Sequence, residues 1–184
     1  MSVCCLLHSP TVTTLCLRGA DLSIDRDFML LAATVSTMPS LQRLDVSLNP
    51  LRPAPFDRSL DGVAALFRAL GDSKKSSCAS SLRHLDVSHV TILDEDTADC
   101  YPSRAESIRA LSGATALETI VADGVVKLKG HGMRSAAVDA ACAQLLDALH
   151  SVVSASPSAT HSHATPTCTF RCNRGLEIPC ADVK

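Results

Sequence analysis

The order of apolar and polar residues repeats four times along the chain. TLCLRGADL, RLDVSLNPL, HLDVSHVTI and TIVADGVVKL each place two apolar residues on alternate positions, with further apolar residues after a short polar step. Alternation of this kind is typical of a strand that buries one face. The pattern therefore predicts four short strands, centred on the apolar residues Leu15, Leu44, Leu85 and Ile120.

Each predicted strand is followed by a segment with apolar residues at helical spacing. These segments are FMLLAATV, DGVAALFRAL, AESIRALSGATAL and SAAVDAACAQLLDALHSVV. Apolar residues three and four positions apart cover one face of a helix, which can pack on the buried side of the strands. The polar segments LRPAPFDRS, GDSKKSSCASS and LDEDTADCYPSRAE contain Pro and Ser clusters and are predicted to be loops.

The strand phrases follow the pattern L-x-x-L-x-L-x-x-N-x-L, and LQRLDVSLNPL matches it most closely. This pattern resembles the leucine-rich repeat family, in the helical-backed subtype similar to ribonuclease inhibitor. The resemblance implies an α/β fold, a short leucine-rich repeat solenoid with parallel strands on the concave face and helices on the convex face. Only Asn49 keeps the family's asparagine, while Ala20, Val90 and Val125 replace it. We therefore expect a less regular hydrogen-bond ladder between the turns.

The length of 184 residues predicts a single core, with about four repeats over residues 1–153. Residues 154–184 are predicted to be a linker plus a degenerate terminal repeat or a tail. In the first alternative, Phe170 and Cys172 form the inward pair of a fifth strand. The N-terminal SVCCLL is either a capping strand or a segment packed on the first repeat.

Charge and hydropathy narrow the class of protein. The net charge is −2, from 17 basic and 19 acidic residues, and the nearest basic patch is 127–134. That patch is predicted to be a solvated loop, with a minor role in contacting phosphates as the alternative. No apolar run has the length of a membrane span, and no basic region precedes the first apolar residues. We expect an intracellular protein, cytoplasmic or cytoskeleton-associated and not secreted, whose nine cysteines are free thiols.

Candidate chemistry is sparse. The acidic run Asp94–Asp99 lacks the spacing and central Gly of a calcium loop, and no local signature surrounds a nucleophilic cysteine. We therefore predict no enzyme activity, no cofactor and no metal. Zinc in the C-terminal tail is the alternative, although the set lacks the close Cys pair typical of zinc sites. Its possible ligands are His161, His163, Cys168, Cys172 and Cys180.

The concave face is the best candidate for function. Because side chains alternate along a strand, the residues between the buried leucines point outward, and stacked repeats align them in columns. The columns are Thr14, Arg43, His84 and Thr119; Cys16, Asp45, Asp86 and Val121; and Arg18, Ser47, Ser88 and Asp123. The predicted partner-binding residues are Arg18, Arg43, Asp45, Ser47, His84, Asp86, Ser88 and Asp123.

These patterns predict a non-catalytic protein–protein interaction module. A short stack leaves apolar layers at its ends, so we expect a small structural subunit of a larger intracellular assembly whose protein partners cover them. Cytoskeletal or ciliary complexes and organellar ribonucleoproteins are assemblies of this type. The alternative is an adaptor or regulator that recruits a client protein through the concave face. No membrane contact is expected, and a direct nucleic-acid contact stays open only as the alternative role of the patch 127–134.

Overall fold

The computed structural model describes residues 10–22, 26–49, 61–94, 101–127, 136–155 and 167–169. Several segments considered above lie outside these residues. They are the N-terminal SVCCLL, the segment LRPAPFDRS, residues 95–99 of the acidic run, residues 128–134 of the basic patch, and Phe170 with everything after it.

Strands and helices alternate along the described chain. The elements are β1 (Thr14–Cys16), α1 (Arg26–Val35), β2 (Arg43–Asp45), α2 (Asp61–Gly71), β3 (His84–Asp86), β4 (Leu93–Asp94), α3 (Tyr101–Arg109), β5 (Thr119–Val121), β6 (Val126–Lys127), α4 (Ala136–Ala155) and β7 (Thr167–Thr169). Five strands form one parallel sheet in the order β1-β2-β3-β5-β7, and β4 pairs parallel with β6 in a small second sheet. The structure is thus an α/β fold of parallel strands alternating with helices. We call each main-sheet strand, with the residues up to the next, a unit.

The register of the main sheet follows the sequence phrases. Leu15 pairs with Leu44, Leu44 with Leu85, and Leu85 with Ile120, which confirms the predicted alignment of the first four strands.

In the fifth strand, Cys168 pairs with Ile120, so the prediction that Phe170 takes this place is wrong. The strand does exist, but its pairing begins two residues earlier in the chain. Cys168, Phe170 and Cys172 alternate with polar residues, and a shift of two positions keeps the same residues on each face. The apolar pattern alone therefore could not decide between the two registers.

The core lies between the main sheet and the helices. Leu44 and Leu85 are fully buried at the strand centres, and Ile120 is nearly so. The helices contribute buried residues at the predicted helical spacing, among them Phe28, Leu31, Val35, Leu66, Leu70, Ile108, Leu145, Leu149 and Val152. In unit 1, Leu15 and Leu17 are only partly buried against this cluster. Burial is therefore most complete in the middle units.

Helix α3 begins earlier and ends earlier than the sequence predicts. Residues 101–104 belong to the helix, although their Pro and Ser suggested a loop. Pro102 is tolerated there because the first-turn N–H groups of a helix have no intrahelical partner. After Arg109 the chain continues as a 3-10 turn, Ala110–Gly113. A second 3-10 turn, Ser77–Ser80, lies in the segment GDSKKSSCASS and buries Cys78, so this segment is not simply a solvated loop.

Backbone hydrogen bonds continue from unit to unit beyond the strands. The N–H groups of Leu17, Val46 and Val87 donate to the carbonyls of Asp45, Asp86 and Val121 at 2.7–2.9 Å. Two residues later, Gly19, Leu48 and His89 donate to Ser47, Ser88 and Asp123 at 2.6–2.9 Å. The expected irregularity of the ladder is therefore confined to side chains, since the backbone bonds recur at each step.

Asn49 adds a side-chain link between units 1 and 2. Its amide nitrogen donates to the carbonyl oxygens of Leu17 and Val46, both at 2.8 Å, and its Oδ1 accepts from the N–H of Leu22 at 3.1 Å. The equivalent positions in units 3 and 4, Val90 and Val125, are fully buried apolar residues.

In each of units 1 to 4, the residue four positions after the strand centre has a left-handed backbone. The φ angles are 62° at Gly19, 55° at Leu48, 59° at His89 and 65° at Gly124. Glycine adopts this conformation freely, whereas Leu and His do so at a cost. Units 2 and 3 therefore hold a strained residue where units 1 and 4 hold glycine.

Candidate interaction surface

The side of the main sheet away from the core carries the residues that flank the buried strand centres. We call this side the open face and define it by Thr14, Cys16, Arg43, His84, Asp86, Thr119 and Val121, which are exposed or partly exposed. The register places Arg43 next to His84 and Asp86 next to Val121, so two of the three predicted columns are confirmed as neighbours across the sheet.

Asp45 and Ser47 belong to the predicted surface, but the structure buries them. Asp45 is 8% exposed and Ser47 is fully buried. The Ser47 hydroxyl donates to Asp45 Oδ1 at 2.6 Å, and the Ser47 N–H donates to the same oxygen at 3.0 Å. The carboxylate therefore stabilises the turn that follows β2.

Unit 3 repeats the backbone hydrogen bond of this arrangement. The Ser88 N–H donates to Asp86 Oδ1 at 2.9 Å, and Ser88 is buried, whereas Asp86 keeps part of its surface exposed. The shared letters D-x-S in the two LDVS phrases are the sequence signal for this turn, because Asp side chains often accept a hydrogen bond from the N–H two residues on. Alternation alone could not reveal it.

The charge of Arg18 lies beside this buried carboxylate. Its Nη1 approaches the Ser47 hydroxyl oxygen at 3.5 Å. Burial alone would raise the pKa of Asp45, but the hydrogen bonds from Ser47 and the nearby Arg18 charge outweigh it, so the pKa lies below its ordinary value. Asp45 is therefore an ionised, internally bonded group.

His84 stands at the centre of the open face. Burial lowers its pKa, and the positive charge of Arg43 acts in the same direction, against the attraction of Asp86 and Asp45. The imidazole is therefore held neutral near pH 7 and can donate or accept a hydrogen bond there.

Asp123 occupies the end of the third predicted column. The residue is partly exposed, yet its Oδ1 is buried and has no hydrogen-bond partner within the residues described. Among the eight predicted partner-binding residues, the structure leaves Arg18, Arg43, His84, Asp86 and Asp123 at least partly exposed, and it buries Asp45, Ser47 and Ser88.

Potential metal ligands and thiols are described for part of the chain only. Within it, no three His, Cys, Asp or Glu residues are grouped to hold a metal ion. Cys168 lies in β7, and the rest of the alternative zinc set lies outside the described residues. The described free cysteines differ in exposure, Cys16 being exposed and Cys78 buried. No helix found in these segments combines the length and apolarity needed to cross a membrane.

Comparison of the chain with protein-family models, curated proteins and solved structures finds no match in any of the three.

Proposed function

We propose that this chain forms a short leucine-rich repeat solenoid and acts as a non-catalytic protein–protein interaction module, a small structural subunit of a larger intracellular assembly. The observation that carries the proposal is the order of the main sheet. Five parallel strands pair in the same order as in the sequence, each joined to the next by the same register. Stacked units of this kind bury a continuous core and present one extended surface.

The first unit supports the idea that a partner covers the end of the stack. Leu15 and Leu17 are partly buried, while their counterparts in units 2 and 3 are almost completely buried. On the adjoining helix α1, Met29 is 51% exposed and Leu30 is 59% exposed. Apolar surface at the end of a stack favours association with another protein.

Affinity capture with matched variants tests whether the open face makes the contact. Arg43→Glu reverses an exposed charge on the open face, and Lys75→Glu makes the same change on an exposed lysine outside it. We expect a co-purifying protein to be lost with Arg43→Glu and retained with Lys75→Glu. Retention with both variants would contradict a role for the open face.

Hydrodynamic measurement tests the subunit role separately. If the stack needs a partner at its end, the isolated chain should self-associate or unfold without cooperativity at micromolar concentration. A monomer that is soluble and unfolds cooperatively under these conditions would refute the incomplete-end argument.

The second candidate function is an adaptor that recruits a client reversibly. The small size of the open face favours it, since four strands about 4.8 Å apart and three residues of about 3.3 Å each span roughly 200 Å². Stable interfaces bury about 800 Å² on each partner. In this case Arg43→Ala and Asp86→Asn should abolish one reversible contact and leave the thermal unfolding midpoint nearly unchanged. Asp45 is unsuitable for this test because its carboxylate is internally bonded.

A further inference from the structure

The charges on and beside the open face are divided between its two halves. Arg18 and Arg43 lie on units 1 and 2, and both side chains are exposed. Asp86 and Asp123 lie on units 3 and 4, and within the described residues neither forms a salt bridge. One half of the sheet is thus basic and the other half acidic.

The remaining titratable groups near the face do not cancel this division. Asp45 offsets only one of the two arginines, because it is a single carboxylate and most of it is buried. Arg83 and Glu118 precede β3 and β5 and form an ion pair with each other, so they add no net charge. His84 lies between the two halves as a neutral side chain near pH 7.

The spacing of the charges follows from the strand order. Arg43 lies two residues before the level of Asp86 on the next strand and four residues before the level of Asp123 on the strand after that, so strand spacing and rise together place it roughly 8 Å from Asp86 and roughly 16 Å from Asp123. Arg18 lies at the level of Asp123, four residues past that of Arg43, and is roughly 14 Å from Arg43. In an extended chain, residues four positions apart lie about 13 Å from each other and point to the same side. An extended segment crossing the strands can therefore place one charge over each half.

We propose that the open face binds an extended polypeptide segment that carries an acidic and a basic side chain four positions apart, the acid over Arg43 and the base over Asp86 and Asp123. This inference rests on the proposed interaction function and specifies its partner. A second copy of this chain also has complementary charges. However, a face of roughly 200 Å² is only about a quarter of what each partner buries in a stable dimer.

Selection from a displayed library of random dodecapeptides tests this assignment. Peptides enriched on the wild-type protein should pair an acidic with a basic residue at positions i and i+4. Selection on Arg43→Glu should enrich peptides with two basic residues, because that variant leaves a mainly acidic face. Asp86→Asn keeps the oxygen that accepts from Ser88 and removes the charge, so it should relax the preference for a basic residue.

The affinity of one synthetic peptide from the selected set, measured for the wild-type protein and for each variant, completes the test. Arg43→Glu should weaken binding about fivefold, the effect of an exposed charge pair, and raising the salt concentration should weaken wild-type binding as well. Lys75→Glu is the matched control and should leave the affinity unchanged. Thermal unfolding of each variant checks that the fold is retained.

The outcomes separate this inference from the proposed function. Enriched peptides that depend on Arg43 but lack paired charges would overturn the charge assignment and leave the interaction function standing. Absence of enrichment, or binding that Arg43→Glu leaves unchanged, would also overturn the charge assignment. The capture experiment would then test the interaction function alone. Salt-sensitive dimerisation of the isolated chain through Arg43 would favour a second copy instead.

Discussion

At the residue scale, the left-handed turn position shows how the same backbone accommodates different side chains. Gly19 and Gly124 adopt positive φ angles freely, while Leu48 and His89 adopt them with a Cβ close to the backbone. The ladder donors at this position, Gly19, Leu48 and His89, bond to the next unit in the same way. The fold therefore imposes the conformation, and the residue type determines its cost.

His89→Gly should stabilise the protein by about 0.5–1 kcal/mol, because it relieves the left-handed strain at an exposed side chain. His89→Ala keeps the Cβ and serves as the control, with no gain expected. Gly19→Ala should cost about 1 kcal/mol, since nothing lies within 4 Å of the added Cβ and only the backbone is strained. Chemical denaturation measures all three. Equal stability of His89→Gly and His89→Ala would contradict this explanation.

Asn49→Ala should destabilise the protein by about 2–3 kcal/mol. The change leaves the carbonyls of Leu17 and Val46 and the N–H of Leu22 without their side-chain partner. Amide hydrogen exchange at Leu22 should accelerate, while exchange at Ile92, which donates to the Val125 carbonyl, should follow only the global change. Unchanged exchange at Leu22 would show that this link contributes little.

His84 should make stability depend on pH. Because its pKa is lower in the folded state, the unfolded state binds the proton more readily, and stability should fall as the pH drops through the ordinary histidine range near 6.5. His84→Gln should remove this part of the decline, measured as the difference between the two proteins at pH 8 and pH 5. Parallel pH profiles for the two proteins would contradict the assignment.

At the element scale, the contact between the end of α2 and the 3-10 turn Ala110–Gly113, which follows α3, requires two glycines. A Cβ added to Gly113 would lie 1.9 Å from the Gly71 carbonyl oxygen, and one added to Gly71 would lie 1.8 Å from the Ala110 carbonyl oxygen. Two backbone segments therefore meet where no side chain fits.

Gly113→Ala should cost about 3 kcal/mol or more, since rigid backbone atoms must move apart to admit the methyl group. Ser112→Ala is the matched control, because Ser112 is exposed in the same turn and should change stability by less than about 0.5 kcal/mol. Thermal unfolding of both variants compares them. A small effect at Gly113 would mean that the two segments can separate easily.

The order of the main-sheet strands and of the helices was predictable because apolar residues recur at two clear periods. The pair β4 and β6 was missed, and Leu93–Asp94 lies in a segment that was wrongly predicted to be a loop. Alternation predicted most of the open face within the strands, but it missed the burial of Asp45, whose carboxylate accepts hydrogen bonds from Ser47. Ser47 and Ser88 lie beyond the strand ends, where the chain turns and alternation no longer decides which side chains are exposed. The start of α3 was missed because Pro102 indicates a loop in isolation but fits the first turn of a helix.

At the scale of the whole molecule, stability should decrease towards the first unit. Within the described sheet, β1 has a neighbouring strand on one side only, and its central residue Leu15 is partly exposed. By contrast, β2 and β3 each lie between two strands, and their central leucines are buried. Native-state hydrogen exchange should therefore give lower protection for the N–H of Leu17, donated to Asp45, than for that of Val46, donated to Asp86. Equal protection would indicate that unit 1 opens only with the whole protein.

The unequal distances along the chain between paired strand centres have a practical consequence. Leu15, Leu44, Leu85, Ile120 and Cys168 are separated by 29, 41, 35 and 48 residues, yet each pairs directly with the next. Lengthening a connection is thermodynamically mild, since each doubling of its length costs only about 0.6 kcal/mol. A genetically encoded fluorescent reporter grafted between Lys74 and Lys75, which are exposed in the turn after α2, should therefore be tolerated, and it would allow the protein to be followed in living cells.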